Sequence, residues 1–174
     1  MSFACRRGNA PCWMKLRPER LFIQGLRSVV NGYEGSRQEE WSQAWNLYAT
    51  ELGTKRGRYA LDALWNFAKT HQCSAVCPMG YHSTNCPFLC RDECLALLFA
   101  AAIQTENRES AVRCAELMFP AQKRSEAEQA AFRVALDFLA VGLRFLPVST
   151  QLVDDIAMLP HAPTQGPRPT DTIH

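Results

Sequence analysis

The sequence predicts an all-α protein: an irregular single-domain bundle of about six helices followed by a disordered C-terminal tail. Apolar residues recur at intervals of three and four through most of the chain, and helix-start signals stand before several of these runs. No stretch alternates apolar and polar β-branched residues as a half-buried strand would. Neither a solenoid period nor a sustained heptad is present, which leaves a bundle ahead of stacked repeats or a coiled coil.

The first helix opens at Pro18, carries Leu21, Phe22, Leu26, Val29 and Val30, and runs out at Gly32. Ser36 followed by Glu39 has the form of a capping box for a second helix, with Trp41, Ala44, Trp45, Tyr48 and Leu52 on its apolar face and Gly53 at its end. Thr54 caps a third, whose stripe is Leu61, Leu64, Trp65 and Ala68 and whose end falls near Thr70. From His71 to Asn85 the rhythm stops, and Pro78, Gly80 and a Ser-Thr-Asn triplet supply turn chemistry. A first-turn proline, Pro87, then opens a central helix from Phe88 to about Thr105, apolar on nearly every side past Glu93 as a helix enclosed by its neighbours must be. Asn107 starts a fifth helix that stops near Pro120. Ser125 and Glu128 form a second capping box before a long sixth helix faced by Phe132, Ala135, Phe138, Leu139 and Phe145. Ser149 to Met158 allows a short last helix, and the proline-rich remainder lacks the apolar residues to bury itself.

This divides the chain into a basic N-terminal arm (1–17), a helical bundle (18–158) with a Cys/His-rich loop at 71–86, and a disordered tail (159–174). With 19 basic against 17 acidic residues, the charge is too balanced for a polyanion-coating protein. The first 27 residues nevertheless hold Arg6, Arg7, Lys15, Arg17, Arg20 and Arg27 against Glu19 alone. No recognition-helix pattern or aromatic-basic interleaving accompanies them, so they read as a solvated arm and not as a nucleic-acid element. The longest apolar run, Leu95 to Ile103, is about half the length that crosses a bilayer, and no secretory signal opens the chain. A cytoplasmic protein without membrane association is expected.

Chemistry concentrates between His71 and Cys94, where 24 residues hold five of the eight cysteines and two of the four histidines. On a continuous helix Cys86, Cys90 and Cys94 would share an arc of roughly 80°. With Cys77 from the loop they make four thiolates, a set that zinc or an iron–sulfur cluster accepts, and Cys73, His71 or His82 could substitute. Two other readings stand beside this one. Cys90 and Cys94 also fit a buried stripe with Leu97, Leu98 and Ala101, since free cysteine is among the most buried residue types. Two of Cys77, Cys86 and Cys90 could instead form a redox pair. Cys5, Cys12 and Cys114 take no assignment from the sequence.

Arg91, Asp92 and Glu93 open the central helix, where acidic side chains suit the positive dipole end, and capping accounts for them. Trp41, Trp45, Tyr48, Tyr59, Trp65 and Phe67, at helical spacing, are expected in the core. The stretch with Trp41, Trp45, Leu52 and Gly53, followed by an Asp-Glu pair leading an apolar helix that ends in Gln104, resembles a group of small uncharacterised α-helical proteins of α-proteobacteria. The resemblance spans about Leu26 to Leu143 and implies a bacterial, cytosolic setting. No nucleophile-base motif, phosphate loop or spaced carboxylate pair suggests an enzyme. The expectation is a small accessory or regulatory protein acting on a protein partner. The alternatives are a thiol-based redox sensor and a purely helical interaction module with core cysteines and no metal.

Overall fold

A computed structural model describes residues 13–35 and 38–161, with backbone alone for 33–35. Among these residues the chain is all-α, with helices α1 (Arg17–Gly35), α2 (Gln38–Leu52), α3 (Thr54–Ser74), α4 (Arg91–Gln104), α5 (Arg108–Met118), α6 (Arg124–Ala140) and α7 (Thr150–Ala157), and no strand. Cys5 and Cys12, the Ser36 cap and the tail from residue 162 onward lie outside the described residues.

The central helix is α4. Every residue from Arg91 to Ala102 is buried, with α1, α5, α6 and α7 packed against it. Phe22 of α1 meets Phe67 of α3, Phe138 of α6 and Phe145 at ring-centroid distances of 5.8–6.1 Å, so one aromatic cluster joins three helices. α2 and α3 form an antiparallel hairpin about Gly53, whose φ of 81° lies in the left-handed region that glycine reaches without strain. Beyond α6 an extended segment returns across the core. Gln104 donates to the carbonyls of Ala135 and Leu143 and accepts from the Phe145 amide, Asn107 donates to the Val148 carbonyl, and buried Glu19 accepts from the Leu146 amide.

Several boundaries depart from the sequence reading. The packed structure begins before residue 18, because Trp13 is buried in a short 3-10 turn (Trp13–Lys15) against α1. Leu159 packs on the core and His161 reaches Arg91, so the expected tail does not start at 159. α3 continues to Ser74 because His71 is buried against the rings of Phe67 and Phe119. α6 begins at Arg124 and not at a Ser125 cap, and it ends at Ala140. Phe145 therefore sits in the extended segment, while Phe132 and Leu139 are exposed and not on the buried face. Trp41, Trp45 and Trp65 are half-buried and line a surface groove, Tyr59 is exposed, and only Tyr48 and Phe67 of the six expected core aromatics are fully enclosed.

Candidate functional site

The segment from Ala75 to Cys90 has no regular secondary structure, so its buried backbone groups must find partners elsewhere. They find them in three charged side chains. Arg27 follows Ile23 by four residues on the apolar face of α1 and is fully buried, so it does not belong to a solvated arm. Its Nε and Nη2 donate to Oε1 and Oε2 of Glu93 at 2.6 and 3.0 Å, the two-point geometry that matches a guanidinium to a carboxylate. Nη1 donates to the Cys86 carbonyl at 2.6 Å and Nη2 to the Phe88 carbonyl at 2.5 Å. Glu93 in turn accepts the His82 amide on Oε1 and the Cys90 amide on Oε2, both at 2.9 Å.

Asp92, beside it in the first turn of α4, accepts the Gly80 amide on Oδ2 at 2.8 Å, while its Oδ1 faces Arg91 Nη1 at 3.1 Å and His161 Nδ1 at 3.3 Å. Both carboxylates also meet the positive end of the α4 dipole. Capping, which the sequence predicts for Asp92 and Glu93, is part of their role. The pairing with Arg27 has no local sequence pattern, although a cation inside an apolar stripe and an acidic pair leading an apolar helix each need a partner to be buried.

This centre decides where the cysteines go. Because Arg27 draws the carbonyls of Cys86 and Phe88 toward itself, those residues cannot enter a helix, and α4 starts at Arg91 with Cys90 extended before it (φ −89°, ψ 173°). Cys86 is therefore on the loop, and the single helical arc for Cys86, Cys90 and Cys94 does not form. The Cys90 thiol donates to the Gly80 carbonyl at 3.1 Å, and burial pushes its pKa up to about 12. Cys94 is completely enclosed, and burial drives its thiol well above the ordinary range. Cys86 is half-buried, and Cys73 and Cys77 are exposed. Cys114 is buried, with its pKa raised to about 12 by desolvation. Among the described residues no group of three or more His, Cys, Asp or Glu side chains is disposed to hold a metal ion, and Cys77, Cys86, Cys90 and Cys94 form no such group.

Of the two histidines in the cluster, His82 contributes its backbone amide to Glu93 and is half-buried. His71 is enclosed between Phe67 and Phe119, at centroid distances of 6.5 and 5.2 Å, and neither ring nitrogen has a protein hydrogen bond. Desolvation lowers its pKa to about 4 against the opposing pull of the Asp92 charge, so the ring is neutral near pH 7.

The carboxylates of this centre are engaged with backbone amides and cations, and the centre works as a latch that closes sixteen irregular residues onto α1 and α4. No family model, curated protein or solved structure matches this chain.

Proposed function

We propose that this chain is a helical interaction module, a bacterial and cytoplasmic accessory or regulatory protein that acts through contacts with a protein partner and not as an enzyme. The observation that carries the reading is on α6, where Phe132, Leu136 and Leu139 are 53%, 45% and 36% exposed. Spaced by four and three residues, they fall within an arc of about 60° on one helix face. Single exposed apolar residues are ordinary, whereas three at successive turns make a stripe of the kind that receives an amphipathic partner. Arg133 and Asp137, paired at 2.8 Å, lie beside it as a polar edge.

The latch supports a non-catalytic role, because each Glu93 oxygen already accepts two hydrogen bonds and neither is left to take a proton from a substrate. Neutral buried thiols at Cys90, Cys94 and Cys114 suit a reducing compartment and favour packing over ligation. Among the described residues no helix is long and apolar enough to cross a membrane. The resemblance over residues 26–143 supports the bacterial setting.

The test compares the immobilised wild type with a Phe132→Glu, Leu136→Lys double variant, whose exposed positions should leave the thermal midpoint unchanged. A partner retained by the wild type and lost by the variant is the expected result. Identical retention by both proteins would overturn the assignment to α6.

A further inference from the structure

The α2–α3 hairpin presents a second feature, independent of the latch and of α6. Trp41 and Trp65 stand twelve residues either side of Gly53, and Trp45 and Leu61 stand eight either side, so the antiparallel register sets these four side chains opposite one another. With Asp62 they line an open groove of about 380 Å³. Three of the chain's four tryptophans therefore face one small volume, with buried Leu61 on its wall and a carboxylate at its edge.

The indoles are arranged as walls. The Trp41 and Trp65 ring centroids are 4.5 Å apart with planes inclined at 65°, so the two rings meet as a corner, and Trp45 lies one turn along α2 from Trp41. Trp41 is seated against α1 at Gly32, where a Cβ would come within 2.7 Å of the indole Nε1. The absence of a side chain there lets the ring lie on α1 and holds it before any ligand arrives, which lowers the ordering cost of binding.

An indole face is the strongest aromatic site for a cation, and a corner of such rings recognises a group that is cationic yet weakly hydrated. Asp62 adds a formal negative charge to the same rim. Among the described residues it pairs with Arg58 at 3.9 Å, and with both side chains mostly exposed that pair is weak. A primary ammonium would lose strong hydration on entering, whereas a trimethylammonium group sheds apolar methyl surface against the indoles and keeps its charge near Asp62. The volume is at the low end for small-molecule sites. The geometry points to a binding site for a small trimethylammonium compound of choline size, formed by Trp41, Trp45, Trp65 and Asp62.

Choline is the probe, titrated into the full chain at constant ionic strength with tryptophan fluorescence and calorimetry as readouts, and 3,3-dimethylbutanol is the neutral compound of the same shape. Choline should saturate with a dissociation constant on the order of 1 mM or tighter, and the neutral compound should bind at least roughly tenfold more weakly. Trp45→Ala should lose most of the affinity, and Gly32→Ala should weaken it by displacing Trp41. Asp62→Asn sits on an exposed position and keeps the fold. It should weaken choline severalfold while leaving 3,3-dimethylbutanol unchanged, a split that a merely structural change would not produce. Equal binding of the two probes, or no saturable signal in a chain with wild-type circular dichroism, would overturn the proposal. A trimethyllysine peptide that bound tenfold more tightly than choline would overturn the small-molecule assignment.

Discussion

Arg27 of α1 and Glu93 of α4, 66 residues apart in sequence, meet through two hydrogen bonds with neither side chain exposed to solvent. A buried ion pair is a poor source of net stability, but removing one partner leaves the other charge enclosed and uncompensated. Arg27→Met and Glu93→Ala should each lower the unfolding free energy by about 3–5 kcal/mol. The double variant should cost at least about 1 kcal/mol less than the sum. Denaturant titrations of the three variants measure the coupling, and strict additivity would show that the pair does not act as a unit.

Cys94 separates packing from ligation. Alanine at this enclosed position loses a sulfur's worth of packing, whereas serine puts a hydroxyl where the thiol is fully desolvated. Cys94→Ser should therefore be the less stable variant by about 1–3 kcal/mol. Chelator should leave the wild-type melt unchanged, since Arg27, Asp92 and Glu93 hold the loop without an ion. Purified chain carrying close to one zinc per molecule and melting lower after chelation would restore the four-thiolate reading.

His71 makes stability depend on pH in a definite window. Its pKa falls from 6.5 to about 4 through burial, so between those values the unfolded chain takes up a proton that the folded chain refuses. The contribution is complete above pH 6.5, declines as pH drops toward 4, and amounts to about 3 kcal/mol across the window. His71→Phe keeps a ring beside Phe67 and Phe119 and removes the titration. Its stability should be flatter from pH 6.5 to 4 than that of the wild type, and parallel curves would rule out His71 as the source.

Gly25 tests close packing between α1 and the α2–α3 hairpin. A Cβ there would overlap the Tyr48 hydroxyl and lie 2.6 Å from a Leu64 methyl, and that hydroxyl is committed to the Leu21 carbonyl at 2.9 Å. Alanine favours the helix by about 1 kcal/mol, yet overpacking of a buried site costs about 1–3 kcal/mol. With two groups to displace the clash should win, and Gly25→Ala should melt below the wild type. A higher melting temperature would mean that the interface yields more easily than its distances imply.

The helices were legible because their signals are local. Asn107 caps α5 by accepting the Ser110 amide, and Gly53 ends α2, as their positions in the sequence suggest. The latch was not legible, because it depends on which residues meet across 66 positions of chain. Pro87 and the four-residue spacing of Cys86, Cys90 and Cys94 favour an earlier helix start, and the Arg27 guanidinium overrides them by taking the Cys86 and Phe88 carbonyls. Trp41, Trp45 and Trp65 show the same limit. Helical spacing places them on one side of a hairpin, but whether that side is covered depends on how much of it α1 reaches.

The amides of Gly80, His82 and Cys90 stand in a segment with no helix of its own, and each donates to a carboxylate on the first turn of α4. Their access to solvent deuterium is thus governed by the opening of the latch and not by local fraying. In a hydrogen-exchange experiment these three should be protected to nearly the same degree as the α4 backbone. Val76 is bonded to the Met118 carbonyl and should be slow. The irregular segment would then behave as part of the same cooperative unit as the central helix, opening when α1 and α4 separate and not before.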